Sequence, residues 1–343
     1  SSSKGNLTIW TKLIISYAQA GFPKLSTSSG LHRSFDQFLN SRGAKYLRYN
    51  FFSLTAELLK SMSTFNPLSI DYLIIGHVTQ DLLDDHSWRL GGTVSYAGLT
   101  AAALGHHVQA ITSCTAQLDL TPLTPLDVVR IPSAQTTTFR NVPTQNGRQQ
   151  FLYHSAERIT AANLPQIEFT PAIVHLAPVD DEVDPQIYRL FSHSLLCLTL
   201  QGWLRQTDVQ GQVRPRQWPY GSELLQAADA VVLSLEDVQS DEAEVQALTE
   251  VCSLLVLTEG AQGARVYWNG DVRRFPAPQV PLVEDTGAGD IFAACYFHRL
   301  FETKDPWEAA RFAVQLASCS VTRKHFASIP TQQEINATRV EVI

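Results

Sequence analysis

Near the carboxyl end, Thr286-Gly287-Ala288-Gly289-Asp290 runs straight into Ile291-Phe292-Ala293-Ala294-Cys295-Tyr296-Phe297. The second stretch has the pattern of an amphipathic helix, so the first is a glycine-rich turn into a helix N-terminus. Gly287, Ala288 and Gly289 carry little or no side chain, which lets backbone approach an anion closely. The first N–H groups of a helix have no intrahelical partner and favour negative charge. Such a turn is a pocket for phosphoryl oxygens. Preorganised N–H donors of this kind are worth roughly 3–4 kcal/mol each on developing charge. Asp290 then has two readings that the local residues leave equal: a general base for an attacking hydroxyl, or a cap on the helix.

Known phosphate motifs narrow the choice. No G-x-x-x-x-G-K-[ST] loop occurs anywhere, and Phe292 occupies the third glycine position of a dinucleotide fingerprint. Thr258-Glu259-Gly260-Ala261-Gln262-Gly263 follows an apolar run and by itself is an ordinary strand-exit turn. His106-His107 lies past a helix end and reads as surface. Trp203, Trp218 and Trp268 are too scattered for a stacking platform.

The elements that must position these residues alternate from residue 70 onward. Apolar runs at 72–76, 108–112, 172–176, 195–200, 230–233 and 254–257 read as buried strands. Thr93 to Leu104 reads as a helix stopped by Gly105, and Pro185–His193 and Asp241–Val251 are helix-length segments. This is the βαβα signature of a mostly parallel sheet covered by helices, whose ligands bind beyond the carboxyl ends of the strands. Gln135 to Tyr153 breaks the rhythm, with β-prone runs either side of Asn146-Gly147. It reads as a hairpin in a small β-flap, paired with Trp88–Gly91.

With the order of these motifs in view, the sequence resembles the ribokinase-like (PfkB) carbohydrate kinases. Gly287-Ala288-Gly289-Asp290 is similar to the family's carboxyl-terminal signature. Gly91-Gly92-Thr93-Val94-Ser95-Tyr96-Ala97 is similar to the amino-terminal one, and the resemblance spans about residues 68 to 337. It implies an α/β, ribokinase-like fold, a mostly parallel central sheet flanked by helices with a small β-sheet lid. The implied organisation is an N-terminal extension at 1–66, a kinase domain at 67–337 with its lid from about 83–92 and 134–156, and a tail at 338–343.

The implied activity is ATP-dependent phosphorylation of a hydroxyl on a small sugar or polyol, with a nucleoside kinase as the alternative within the fold. A non-catalytic nucleotide or sugar sensor is the alternative of another class. The resemblance makes Asp290 the base and Gly287, Ala288 and Gly289 the anion hole. It puts Asp81, Gly91, Gly92 and Tyr96 at the acceptor, with Tyr96 standing where many sugar kinases have an Asn. Thr258, Gly260, Gly263 and Ser320 fall at the nucleotide. Mg2+ falls to Glu236 and Asp237 as outer-shell acids of Ser234-Leu235-Glu236-Asp237. Glu284 and Asp285 fall in a loop for a monovalent cation such as K+. A homodimer through the lid is also implied.

Bulk properties agree with a globular chain. Across 343 residues the hydrophobic share is 44% and the net charge −7, with no basic field for nucleic acid. Residues 1–61 carry about +6 and the remainder about −13. This basic, Ser-rich stretch reads as an extension outside the active site or as an organelle-targeting segment. The five cysteines are scattered without a C-x-x-C pair, which fits a reducing compartment, and no apolar run spans a membrane. Together these point to a cytoplasmic protein.

Overall fold

The computed structural model describes residues 70–144, 147–218 and 222–340. They belong to the second of two compact units, 68–343. The expected extension at 1–66 lies outside the described residues, as do Asn146 of the hairpin turn and residues 341–343.

Nine strands form the main sheet: β1 (Tyr72–Ile75), β4 (Val108–Cys114), β5 (Asp127–Pro132), β8 (Ile173–Leu176), β9 (Leu195–Thr199), β12 (Ala230–Ser234), β13 (Leu254–Thr258), β14 (Ala264–Trp268) and β15 (Asp271–Phe275). Their order is β15-β14-β13-β12-β9-β8-β1-β4-β5. All neighbours from β13 to β5 are parallel, so the carboxyl ends of β1, β8, β9, β12 and β13 share one edge. The apolar runs have no polar alternation because both faces are covered. Tyr72 and Ile74 enter one core, Leu73 and Ile75 the other.

The first core is roofed by α1 (Thr93–Ala103), α4 (Ala288–Thr303) and α5 (Pro306–Ser320), and α2 (Ser222–Ala227) and α3 (Glu242–Val251) lie between α1 and α4 in the chain. α1 is built of Ala, Gly and Thr and is buried along most of its length, so it sits between the sheet and α4. Asp305 caps α5 by accepting from the N–H groups of Trp307 and Glu308, and Thr331 with Glu334 forms a capping box on α6 (Gln332–Thr338).

A second sheet has the order β3-β2-β6-β7, from β2 (Thr79–Leu82), β3 (Trp88–Gly91), β6 (Thr138–Thr144) and β7 (Gly147–His154). The β6–β7 hairpin forms where the Asn-Gly turn pointed, but Trp88–Gly91 does not pair with it: β2 lies between them, antiparallel to β3 and parallel to β6. β2 is an added strand, so Asp81 sits in a sheet, opposite Arg89, rather than in a loop. A short hairpin, β10 (Arg205–Thr207) and β11 (Val213–Pro215), reaches the outer edge of β7. The Leu152 N–H donates to the Gly211 carbonyl at 2.8 Å and Phe151 bridges Gln212.

Two sequence expectations change. Pro185–His193 does not form an α-helix; Pro185–Leu190 is a 3-10 helix capped by Asp184. Its side chains include one fully buried residue, Ile187, too little apolar surface for a longer helix to cover the sheet. β10–β11 and β14–β15 were hidden because their short runs carry Arg and Gln among the apolar residues. All five cysteines are free. No helix among the described residues is long and apolar enough to cross a membrane.

Candidate active site

α4 starts where the glycine-rich turn ends. Gly287 is its N-cap and takes a left-handed conformation, φ 83°. A Cβ at Gly287 would overlap the Tyr96 ring, so glycine is required twice, for its φ and for this close approach. The Ala288 N–H turns back to the Asp285 carbonyl at 3.0 Å, and the Ile291 N–H donates to Gly287 at 2.9 Å. Between them, the N–H groups of Gly289 and Asp290 have no protein acceptor among the described residues. Space above Gly289 is open. Gly287 and Ala288 thus shape the turn, while Gly289 and Asp290 carry its N–H groups without a protein acceptor among the described residues.

Asp290 lies in the first turn of α4 and keeps a partly open face. Enclosure by protein raises its carboxyl to a pKa of about 6. The Thr93 hydroxyl donates to it and the Arg205 guanidinium acts the same way, both favouring the ionised form. The carboxylates of Asp237 and Asp81 oppose them. Asp290 is not the N-cap; that position is Gly287, with no side-chain cap bond. The helix-cap reading of Asp290 therefore falls away.

Asp81 is nearly buried on β2. Its Oδ1 accepts from the Thr79 hydroxyl at 3.0 Å, and its carboxyl lies against the backbone of Gly91. Gly92, with φ 85°, is the N-cap of α1 and leaves no room for a Cβ beside the His77 carbonyl. Asp81, Gly91, Gly92, Thr93 and Asp290 thus meet at one place, from the lid sheet, the start of α1 and the start of α4.

Arg205, at the start of β10, went unnoticed in the sequence. Its Nη2 donates to Asp237 Oδ1 at 3.1 Å and its Nη1 to Gln150 Oε1 at 3.1 Å. The Gln201 amide oxygen accepts from it at 2.7 Å in the amide orientation that leaves no clash of like groups. A single Arg after a strand exit follows no recognisable pattern of residue types, and only the folded chain brings it to Asp290.

Thr258 ends β13, and Gly260 (φ 56°) faces open space beyond it. Gly263 (φ 98°) is a packing glycine, because a Cβ there would overlap the Phe275 carbonyl. Ser320, expected at the nucleotide, turns its hydroxyl back onto its own helix. It is buried at the end of α5 and its hydroxyl donates to the Ala317 carbonyl at 2.7 Å. Tyr96, expected at the acceptor, packs against the glycine turn. Its ring is 1% exposed, packed among Gly287, His325 and Phe326, and it props the turn from beneath. Burial raises its hydroxyl's pKa, and that hydroxyl has no partner among the described residues.

Glu284 and Asp285, expected in a cation loop, have different surroundings. Glu284 Oε1 pairs with Arg89 of β3, and Oε2 accepts the His325 N–H at 2.9 Å. His325 Nε2 in turn meets the Leu90 carbonyl at 2.8 Å. Although burial opposes it, the Arg89 and His325 contacts hold the Glu284 carboxyl below its usual range. Its two oxygens are thus engaged by protein groups, and Asp285 is exposed. Asp237 is likewise engaged, by Arg205 and by the Ser234 N–H at 2.9 Å, while Glu236 is exposed. Among the described residues no cluster of three His, Cys, Asp or Glu side chains could enclose a metal. Of Glu236 and Asp237 only Glu236 is exposed to solvent, as a carboxylate must be to hold a hydrated cation.

The sequence model described as pfkB family carbohydrate kinase matches residues 204–332. The chain is 31% identical to an Escherichia coli fructokinase over 132 residues, 34% of this chain and 43% of that protein. It is 32% identical to a Haemophilus influenzae ribokinase over 111 residues, 31% of this chain and 36% of that one. It therefore spans less than half the length of these curated relatives. Among solved structures, it resembles a sulfate complex of a pyrophosphate-dependent kinase in the ribokinase family, with TM-score 0.66 and 21% identity over 78% of this chain and 100% of that one. An Arabidopsis thaliana ribokinase complexed with ribose and ATP gives TM-score 0.61 and 16% identity over 79% of this chain and 99% of that one. The fold is thus the ribokinase fold.

Proposed function

We propose, from the match of residues 204–332 to the pfkB family carbohydrate kinase model, that the chain transfers the γ-phosphoryl group of ATP to a hydroxyl of a small sugar or polyol. The observation that carries this reading is Asp290: a carboxylate poised near neutral pH, one residue past a glycine turn with two unsatisfied N–H donors. In the proposed step an acceptor hydroxyl lies between Asp81, Gly91-Gly92 and Asp290. Its oxygen attacks the γ-phosphorus, its proton passes to an Asp290 oxygen, and the bond from the γ-phosphorus to the β-phosphate oxygen breaks to release ADP.

The Gly289 and Asp290 N–H groups face the charge that develops on the transferred group. Asp81 accepts from acceptor hydroxyls, a role suited to a carboxylate with four lone-pair sites. Arg205 balances negative charge between Asp237 and Asp290. Thr258 and Gly260 border the nucleotide at the carboxyl end of β13. When bound, Mg2+ would neutralise phosphate charge, with Glu236 as the acid that holds it through water.

The test measures phosphoryl transfer across sugars, polyols and nucleosides, with ATP and pyrophosphate as donors, for the native protein and Asp290→Asn. The expected result is turnover with ATP and a sugar or polyol, lost by about 10²–10⁴-fold in the variant while ATP still binds. Near-native turnover of the variant would overturn the assignment of the base. Preference for a nucleoside or for pyrophosphate would redirect the substrate reading, and ATP binding without any turnover would make the protein a sensor.

A further inference from the structure

Arg205 is held by Gln201 and Asp237 of the main body and by Gln150 of the lid sheet. Gln150 belongs to lid strand β7, and its amide is oriented from both ends. Nε2 donates to Asn141 Oδ1 of β6 at 3.1 Å, and Oε1 accepts from Arg205 Nη1 at 3.1 Å. Asn141 and Gln150 are direct cross-strand partners, so the sheet register itself aims the amide. On the far side, Asp237 holds the guanidinium from the carboxyl end of β12 and is itself fixed by the Ser234 N–H.

The backbone repeats the connection. Leu152 of β7 bonds Gly211 in the turn of the β10–β11 hairpin, whose first residue is Arg205. A Cβ at Gly211 would lie 2.9 Å from the Leu152 carbonyl oxygen, and its φ of 80° also suits glycine. The hairpin is rooted below by Trp203. That ring stacks on Trp218 at 4.7 Å and donates to the Val183 carbonyl. Arg205 therefore has its root in the main body and its guanidinium steered by the lid.

We propose that Gln150 is a positioning residue: through Asn141, Gln150, Arg205 and Asp237, the lid sheet sets where the Arg205 charge stands relative to Asp290. A guanidinium is a planar fork of fixed donors, so acceptors on different nitrogens, Gln150 on Nη1 and Asp237 on Nη2, define its plane as well as its place. The charged groups facing Asp290 are Arg205, Asp237 and Asp81, and the Thr93 hydroxyl joins them. Of the three charges, Arg205 alone favours the ionised carboxylate. Its loss or displacement leaves two like charges acting on the base. The inference rests on Asp290 being that base.

The experiment compares Gln150→Leu, Arg205→Ala and the double variant by two readouts. The first, hydrogen–deuterium exchange, needs no acceptor. Gln150→Leu is expected to speed exchange at 201–207 and 234–239 as Arg205→Ala does, and changes confined to β6 and β7 would overturn the proposal. The second is turnover against pH. Each single variant is expected to move the acidic limb to higher pH and lower kcat by up to about 10²-fold, and the double variant to be no slower than Arg205→Ala. A fully multiplicative double variant, or an unmoved limb in Gln150→Leu, would overturn it. Asp290→Asn, assayed alongside, separates the outcomes: its near-native turnover would remove the base, while exchange still reports whether Gln150 holds Arg205.

Discussion

Asp290 is asked to do two opposed things, to be ionised and to be enclosed. Its pKa of about 6 means that turnover should rise with pH through that value and then level, in a kcat profile taken from pH 5 to 8. The same shift is a stability statement. A carboxyl whose pKa is raised in the fold stabilises the protein below its unfolded value near 3.8, and that contribution disappears as pH rises through about 6. At pH 7.5 the ionised group therefore opposes folding, by about 3 kcal/mol before solvent screening reduces it. Asp290→Asn should thus melt higher than the native protein at pH 7.5, with the gap closing towards pH 4. A variant that melts lower at pH 7.5 would show that the carboxylate is structurally needed. This is the stability–activity opposition expected of a working site.

The start of α4 is an element held from below and from the side. From below, Tyr96 fills the space that a Gly287 side chain would need. Gly287→Ala should cost about 1–3 kcal/mol for a strained left-handed residue, and more for the overlap. Trimming the ring with Tyr96→Ala should recover part of the overlap cost in a double-variant melting cycle, and strict additivity would mean the contact is not what excludes Cβ. From the side, Glu284 joins the preceding loop to Arg89 of β3 and to His325. Because those carboxylate oxygens are engaged, replacing Na+ by K+ should leave turnover unchanged. Glu284→Ala should destabilise the fold by about 1–3 kcal/mol, because it leaves a half-buried Arg89 without its acceptor. Activation by K+ would show that the Arg89 pair opens in solution.

At the scale of the whole molecule, the main sheet holds a histidine that cannot charge cheaply. His175 on β8 is fully buried between the Tyr72 hydroxyl and the Thr199 hydroxyl, at 3.1 Å from each. Burial lowers its pKa to about 3. A depressed pKa gives stability that is present above the unfolded value near 6.5 and lost as pH falls towards 3. By pH 4.5 that loss is on the order of 2–3 kcal/mol. Melting temperature should fall over this window, and the fall should be shallower in His175→Asn. Asp290 works in the opposite direction below pH 6, so Asp290→Asn should steepen it. The lid sheet is also a whole-molecule matter. Gly211 and Gln212 cover part of its β7 edge, and β3, with its half-exposed Trp88, forms the other.

Much of this was present in the chain itself. Uninterrupted apolar runs determined buried parallel strands, because a strand covered on both faces has no need of alternation. Glycine next to Asp290 determined a helix start open to an anion, because only residues without bulk permit it. Asn146-Gly147 determined the hairpin. What the sequence could not settle was which polar groups would be left over. Ser320, Tyr96 and Glu284 have the right types at the right spacings, yet their partners 3, 191 and 195 residues away occupy or bury them. Arg205 has no pattern to announce it, and it becomes part of the site because β7, β10 and the exit of β12 converge on it. Local sequence sets backbone conformation within a few residues, whereas burial and charge at a point depend on every segment that passes near it. The residue with which the chain announces its chemistry, Asp290, was legible as a candidate, and its poise near neutral pH is a property of the tertiary structure.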